Sequence, residues 1–508
     1  MRLNKVLSTM GFLALMTLAG EGYAGGACGF GPTPLWTTPY PGMGRYVVLS
    51  SQGSLLTAID EINASFTTSH KVYKYDLNGS LKLAAWLADP AYPINMIVNV
   101  AFDNDENIIC ASGVPGWGVA KYDKTGNLLW SRSRSATVNS FSDVAAVFVD
   151  GNGDVYAGGA TGDSGVTITK CPTIIKYDHS DGHTLWEYTG DCAGSGNYIR
   201  ELGMDPQGYL ISVASRWADL SMAVTKQDKN GIVIWTVSLT GDISASERIT
   251  PATMAVGSHG ETLVVGYKNI LTKMYALAVL FNSDGAIRWS RTLGTGNYDQ
   301  AYFAGFDGKG NAYVGGSYDN AWALCKNFIR SYCPDGTTRW ERIWGDSENW
   351  MSGLAVLSDG TLMLTEVAAV QDASLAWVFT TNVRKYSQGS DGCSVCSDYY
   401  SNPNSDTLGQ LFEKVKIVGG IRGYINPKRG ESATILVKPT AIGEVRVRIY
   451  DMAGGLVWDK SVPARAGATE VIQWGGVDSS GKPVPPGLYP VLIEAPGVKY
   501  KDKLAVVR

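Results

Sequence analysis

Four histidines, eight cysteines and several runs of acidic and amide residues are the places where this 508-residue chain could do chemistry. Catalysis needs an acid, a base, a nucleophile or a metal brought together. His179, His183 and His259 fall in expected tight turns, where imidazoles face solvent more readily than a shared ion, and no Ser/His/Asp set suggests itself beside them or His70. The runs Asp103-Asn104-Asp105-Glu106-Asn107 and Asp150-Gly151-Asn152-Gly153-Asp154 put oxygen side chains at alternate positions, as calcium loops do. Calcium takes about six to eight oxygens, and the positions that should close such loops hold Val114 and Thr161. Asp, Asn and Gly are also what a tight turn selects. Both runs are therefore read as turns, and neither a metal nor a cofactor is expected.

A second set of residues is spread along the chain at comparable positions: Asp143, Tyr198, Arg200, Glu201, Glu247, Arg248, Tyr298, Asp299, Glu348 and Trp350, with Trp117, Trp217 and Trp322 nearby. Rings supply apolar contact and charges fix orientation, a mixture suited to a polar ligand such as a glycan or an extended peptide. The same aromatic residues could instead pack between structural units. Paired carboxylates among Glu201, Glu247, Asp299 and Glu348 would alternatively serve hydrolysis of a polysaccharide.

The elements that must position these residues follow from a repeat. A turn followed by a tryptophan returns in YDKTGNLLW, YDHSDGHTLW, QDKNGIVIW, FNSDGAIRW and YCPDGTTRW, ending at Trp130, Trp186, Trp235, Trp289 and Trp340. Upstream of the later four lies a second hairpin, as in VFVDGNGDVYAGG and GFDGKGNAYVGGS. Asn, Asp and Gly supply the positive φ that short hairpins demand. Each unit thus reads as four strands in roughly 50 residues, the spacing of a propeller blade. Less regular copies begin near Val47, Ala101 and Leu354, which makes about seven. The fold expected is all-β: a seven-bladed β-propeller followed by an immunoglobulin-like β-sandwich. Pro34-Leu35-Trp36-Thr37, a strand without a partner of its own, is expected to complete the last blade and remove an exposed edge.

The run from Trp289 to Gly316, WSRTLGTGNYDQAYFAGFDGKGNAYVGG, resembles the bacterial β-propeller repeat family. That resemblance implies architecture over roughly residues 45–390 and carries no catalytic residues. Periplasmic quinoprotein dehydrogenases are propellers too, but they grip their cofactor with adjacent cysteines, and no two cysteines are adjacent here. Farther on, IYDMAGGLVWD, Trp474-Gly475-Gly476 and VDSSGKPVPPGLY resemble the Ig-like domain of the flagellar hook-capping protein. This second resemblance implies a stalk, a docking piece or a secretion signal.

Residues 1–24 read as a secretory signal peptide, with Arg2 and Lys5, an apolar run from Val6 to Ala19 and small residues near Ala24. A lipid-anchored Cys28 is the alternative reading. Residues 25–386 are assigned to the propeller, 387–415 to a linker and 416–508 to the Ig-like sandwich. Behind a signal peptide cysteines pair by default. If Asp181-Gly182 centre a two-residue turn, Cys171 and Cys192 face each other across two strands, within disulfide reach. Cys393 and Cys396 are read as a local clamp, and Cys325 with Cys333 as a bond that needs a bend between them.

A net charge of -4 and no Lys/Arg cluster longer than a pair exclude a phosphate-neutralising surface, hence nucleic acid. No later stretch approaches the ~20 apolar residues of a membrane-spanning helix. The sequence therefore reads as a bacterial protein that is secreted, at the cell surface or periplasmic. It is taken as a non-catalytic binding or scaffold protein whose partner is a glycan, a peptide or an envelope protein. The polysaccharide-active enzyme and a purely structural envelope protein are the alternatives.

Overall fold

A computed structural model describes residues 29–30, 34–62, 68–86, 97–112, 116–135, 140–163, 169–190, 192, 197–216, 221–240, 247–318, 326–345, 349–371, 377–389, 415–419, 424–427, 433–437, 439, 441, 443–464 and 470–507. Residues 1–24, Trp217, Trp322, Cys325, Glu348, Cys393, Cys396 and most of 387–415 lie outside them. The chain is all-β, and seven four-stranded antiparallel sheets form a propeller.

Blade 1 comprises Met43–Leu49, Ser54–Ile62, Thr68–Asp76 and Leu81–Trp86; blade 2, Ile97–Phe102, Ile108–Ser112, Gly116–Tyr122 and Leu128–Ser135. Blade 3 runs through Ser140–Val149, Val155–Asp163, Thr169–Tyr177 and Thr184–Thr189, and blade 4 through Tyr198–Met204, Leu210–Arg216, Ser221–Gln227 and Val233–Thr240. Glu247–Val256, Thr262–Ile270, Lys273–Phe281 and Ile287–Leu293 make blade 5; Gln300–Phe306, Ala312–Tyr318, Lys326–Tyr332 and Thr338–Trp344 make blade 6. Blade 7 takes three strands from Asn349–Val356, Leu362–Gln371 and Trp377–Tyr386, and its outer strand, Trp36–Pro41, from the start of the chain. The inner strands neighbour one another in cyclic order, blade 7 against blade 1.

The recurring Asp-x-x-Gly sequences build one kind of turn. In the first hairpin of blade 4, Asp205 N–H donates to Tyr209 O and Gly208 N–H to Asp205 O, at 3.0 and 2.9 Å. The Asp205 carboxylate accepts from Gln207 and Tyr209 N–H, and Gly208 sits at φ 83°. This is a three-residue loop closed by a glycine in the left-handed region. The blade 3 turn differs from the two-residue expectation. Asp178 N–H bonds His183 O and Gly182 N–H bonds Asp178 O, so the loop is longer. Thr173 then faces Thr189 and Lys176 faces Trp186, one residue off the expected register. Cys171 and Cys192 are nevertheless disulfide-bonded, with Cα atoms 4.3 Å apart. Cys333 is also in a disulfide.

Neighbouring blades lock through the same turns. Trp130, Trp186 and Trp289 each donate an indole N–H to a carbonyl in the next blade's second turn, His179 O, Lys229 O and Pro334 O, at 3.3, 3.0 and 3.2 Å. A Cβ on Gly182 would stand 2.6 Å from the Trp130 ring, so that glycine is needed for space as well as for its φ of 76°. Lysines that precede the end of the third strand reach the same turns: Lys121 bonds His179 O and Lys226 bonds Ser283 O. The repeated tryptophan is thus a between-blade wedge, packed against a neighbour's backbone.

Each inner strand carries one β-bulge, at Arg45, Val98, Ala145, Arg200, Ala252, Tyr302 and Ser352. Opposite the bulges of blades 3, 5 and 6 stand Gly159, Gly266 and Gly316. A Cβ there would lie 2.0 to 2.1 Å from the carbonyl oxygens of Asp143, Thr250 and Gln300. This close approach explains the glycines of the Tyr-Val-x-Gly strands.

Beyond the propeller, Val415–Gly419, Ala433–Val437 and Glu470–Trp474 form one sheet; Tyr424–Ile425, Gly443–Tyr450, Leu456–Ala464, Gly487–Ala495 and Val498–Val506 form another. Val445, Val447 and Ile449 alternate inward and share a core with Ile435, Trp474 and Tyr489. Trp474 Nε1–H donates to Val477 O at 2.7 Å and meets the Tyr489 ring edge-on. Among the described residues no helix is long and apolar enough to cross a membrane.

Candidate functional site

The inner strands of all seven blades surround a cavity of about 690 Å³, within the range of small-ligand sites. Tyr46 and Asn99 come to it from blades 1 and 2, Asp143 from blade 3, Thr253 and Tyr302 from blades 5 and 6, and Gly353 from blade 7. Blade 4 contributes Tyr198, Arg200 and Glu201. Side chains of a regular strand alternate between faces, so Arg200 and Glu201 should point apart. The bulge at Arg200 turns both to the cavity, while Ile199 and Leu202 on either side stay in the core between blades.

Tyr198 and Asp143 share a hydrogen bond across blades 3 and 4. The Arg200 guanidinium lies 5.2 Å over the Tyr198 ring, and its Nε–H reaches Ser215 Oγ at 3.4 Å. Burial pushes the Asp143 carboxyl above the usual range, against the pull of Tyr198, Lys170 and Arg200. Burial likewise raises the Tyr198 phenol, and the Asp143 charge adds to it.

Glu201 is the most perturbed acid of the cavity. Thr253 Oγ1–H donates to its Oε2 at 2.9 Å and Leu202 N–H to its Oε1 at 3.2 Å, and the Asn99 side chain is a third donor. All three hold the carboxylate down, yet burial prevails and pushes its pKa up to about 7. The residue keeps some accessible surface and lines the cavity. Atoms crowd it from blades 2, 4 and 5, and that enclosure sets the desolvation.

The other candidates separate into groups. Glu247, Arg248, Tyr298 and Trp350 stand at the entrances of inner strands and do not line the cavity. Glu247 pairs with Lys268, and Trp350 meets Phe379 edge-on at 6.2 Å between ring centres. Tyr298 is half-exposed and adopts φ 64°, in the left-handed region. Two expectations need correction. Asp299 is fully buried, and its carboxylate accepts Gly296 N–H at 2.7 Å, so it staples its own loop rather than meeting a ligand. Trp117 is also fully buried, in the core between blades 2 and 3, with its indole N–H on the Tyr177 hydroxyl.

Tyr46, Asn99, Thr253 and Tyr302 were not among the candidates. All lie at or beside the bulge, so aligning the inner strands on that position would have found them.

On the face of short turns, His179 and His183 are exposed. Asp154, Asp178 and His179 form one group with ligand-type atoms within 4.8 Å of one another, and Asp178, Asp181 and His183 form a second. The carboxylates of Asp103 and Asp150 are engaged in their own turns and by Lys121 and Lys176, as a turn role requires.

A family model described as outer membrane protein assembly factor BamB matches residues 116–305. No curated protein matches the chain. Among solved structures, PorZ, a surface component of the type-IX secretion system of Porphyromonas gingivalis, is 13% identical with a TM-score of 0.40. The alignment covers 90% of this chain but only 59% of PorZ. A protein of unknown function from Bacteroides caccae is 13% identical, with a TM-score of 0.35 and coverage of 54% of this chain and 90% of that one. Regucalcin, a calcium-binding protein from Agrobacterium tumefaciens, is 10% identical, with a TM-score of 0.34 and coverage of 72% and 96%. In its repeats, over residues 116–305, the propeller is similar to the BamB-like repeat family.

Proposed function

We propose that this chain is a secreted or periplasmic, non-catalytic binding protein of the bacterial envelope, with the propeller as its recognition platform. The cavity carries the reading: Asp143, Tyr198, Arg200 and Glu201 converge there from blades 3 and 4, beside the aromatic Tyr46 and Tyr302. Mixed charge and rings in one concavity suit a polar ligand, such as a glycan or a peptide segment of an envelope protein. The BamB-like repeats support an envelope setting. The two-sheet C-terminal unit, whose sequence resembles an Ig-like domain, serves attachment or sorting. The test is binding of the full chain to glycan arrays and envelope-protein peptides, with Tyr198→Ala compared at equal folded concentration. Unchanged binding by that variant would remove the cavity from the reading.

One observation favours a second reading. A carboxyl whose pKa is pushed up to about 7 is what a general acid needs, and Asp143 lines the same cavity. A polysaccharide-active enzyme would use the two together. Release of reducing ends by the wild type, abolished in Glu201→Gln, would establish it.

A further inference from the structure

We infer that Glu201 anchors a site for one protonated amine or guanidinium group of a ligand held in the central cavity. The inference rests on the cavity being the binding site and adds the chemistry of what enters it. The surroundings of Glu201 are the reason. Blade 2 offers Asn99 and blade 5 offers Thr253, both neutral, and its own blade adds the Leu202 N–H. Two charged residues of the same cavity are engaged with other groups. Arg200 lies over the Tyr198 ring and bonds Ser215, and Asp143 shares its hydrogen bond with Tyr198. Among the described residues no cation pairs with Glu201.

An ionised carboxylate enclosed without a cation attracts one strongly, because the local dielectric is low. Its capacity also defines the guest. A carboxylate offers about four acceptor positions, and three donors already hold Glu201. One place remains, enough for a single N–H of a cation. A metal ion would need several more oxygen ligands, whereas the groups that face Glu201 are donors. Tyr46 and Tyr302 line the same cavity and provide ring faces for the body of an organic cation.

The test is calorimetric titration of the full chain with agmatine and cadaverine, and with a neutral diol as control, at pH 6 and pH 8. Wild type should bind both amines at pH 8 and not the diol. Affinity should fall about tenfold at pH 6, following the ionised fraction of a group that titrates near 7. Glu201→Gln should weaken amine binding by about tenfold or more and remove the pH dependence. Glu187→Gln, whose outer-strand carboxylate pairs with Arg134, should leave binding unchanged. Equal amine affinity in wild type and Glu201→Gln, or no amine binding at pH 8, would overturn the inference. Glycans or uncharged peptides that bind wild type and Glu201→Gln alike, yet are lost in Tyr198→Ala, would leave the binding-protein reading standing while this inference falls.

Discussion

The indole N–H of Trp36 donates to Leu77 O at 3.1 Å, joining a residue near the start of the chain to the second turn of blade 1. A Cβ on Gly79 in that turn would come within 2.8 Å of the Trp36 ring. Trp36 begins the outer strand of blade 7, paired from Trp36 with Lys385 to Pro41 with Thr380. It therefore makes between blades 7 and 1 the wedge that Trp130, Trp186 and Trp289 make elsewhere. Lys385 completes the likeness by bonding the same Leu77 carbonyl at 3.0 Å.

Ring closure can thus be tested at one contact. Trp36→Ala should destabilise the protein by about 3 kcal/mol, the low end for a large aromatic because the ring keeps some exposure. Gly79→Ala should cost about 1–2 kcal/mol from its φ of 83° alone, and more from the clash. In the double variant the clash part should vanish, so the two costs should not add. Urea denaturation of the four proteins measures the coupling, and simple additivity would show that the wedge is not tight.

The propeller was legible because its turns are chemically specific. Asp at the first position and Gly at the fourth, as in the turns from Asp76, Asp123, Asp150, Asp205, Asp228 and Asp307, are what the local hydrogen bonds and positive φ require, and the tryptophan that follows marks the wedge. The cavity was legible only in part. Tyr198, Arg200 and Glu201 stand near the start of an inner strand, which the repeat locates. The bulge breaks the alternation of the inner strand, however, so strict alternation hid Thr253 and Tyr302. Trp117 and Asp299 were misjudged for a related reason: a residue's distance from a loop in sequence does not say which way the strand turns it. The blade 3 loop carries one residue more than its counterparts, and the expected register of Cys171 was off by that kind of margin.

Glu106 occupies the turn position that glycine holds elsewhere, at φ 64°. Its carboxylate reaches blade 1, accepting from Ser50 and Ser54 hydroxyls at 2.6 and 2.8 Å and pairing with Lys74 at 2.5 Å. Glu106→Gly should relieve about 1 kcal/mol of backbone strain but leave the buried Lys74 unpaired, at about 3–5 kcal/mol. The net effect is destabilising. Burial alone would raise the Glu106 carboxyl; Lys74 and the two serines override it and hold it below the usual range. A depressed carboxyl contributes stability above its unfolded pKa and loses it as pH falls through the folded value. Acid unfolding of Glu106→Gln should accordingly be shallower below pH ~4.5 than that of wild type.

Reactivity of the cysteines should follow their burial. Cys110 is a free thiol, fully enclosed, and burial pushes its pKa well up. Iodoacetamide should leave it unmodified in the native protein and label it in denaturant. Non-reducing peptide maps should recover Cys171 joined to Cys192, and a pair of free thiols there would contradict the fold of blade 3.

Glu201 should move stability in the opposite sense to Glu106. Its folded pKa is raised, to about 7, so the folded state holds the proton more tightly than the unfolded chain. Stability from this group is present below the unfolded value near 4.5 and declines as pH rises toward 7. Glu201→Gln can turn its oxygen to Leu202 N–H and its amide N–H to Thr253 Oγ1, and it never ionises, so it escapes that decline. At pH 8 the variant should be more stable than wild type by on the order of 2 kcal/mol, and at pH 4 the two should be nearly equal. Thermal unfolding at both values checks this. A variant less stable than wild type at pH 8 would mean that the ionised carboxylate is already compensated within the fold, which would also remove the physical reason for a cation to enter the cavity.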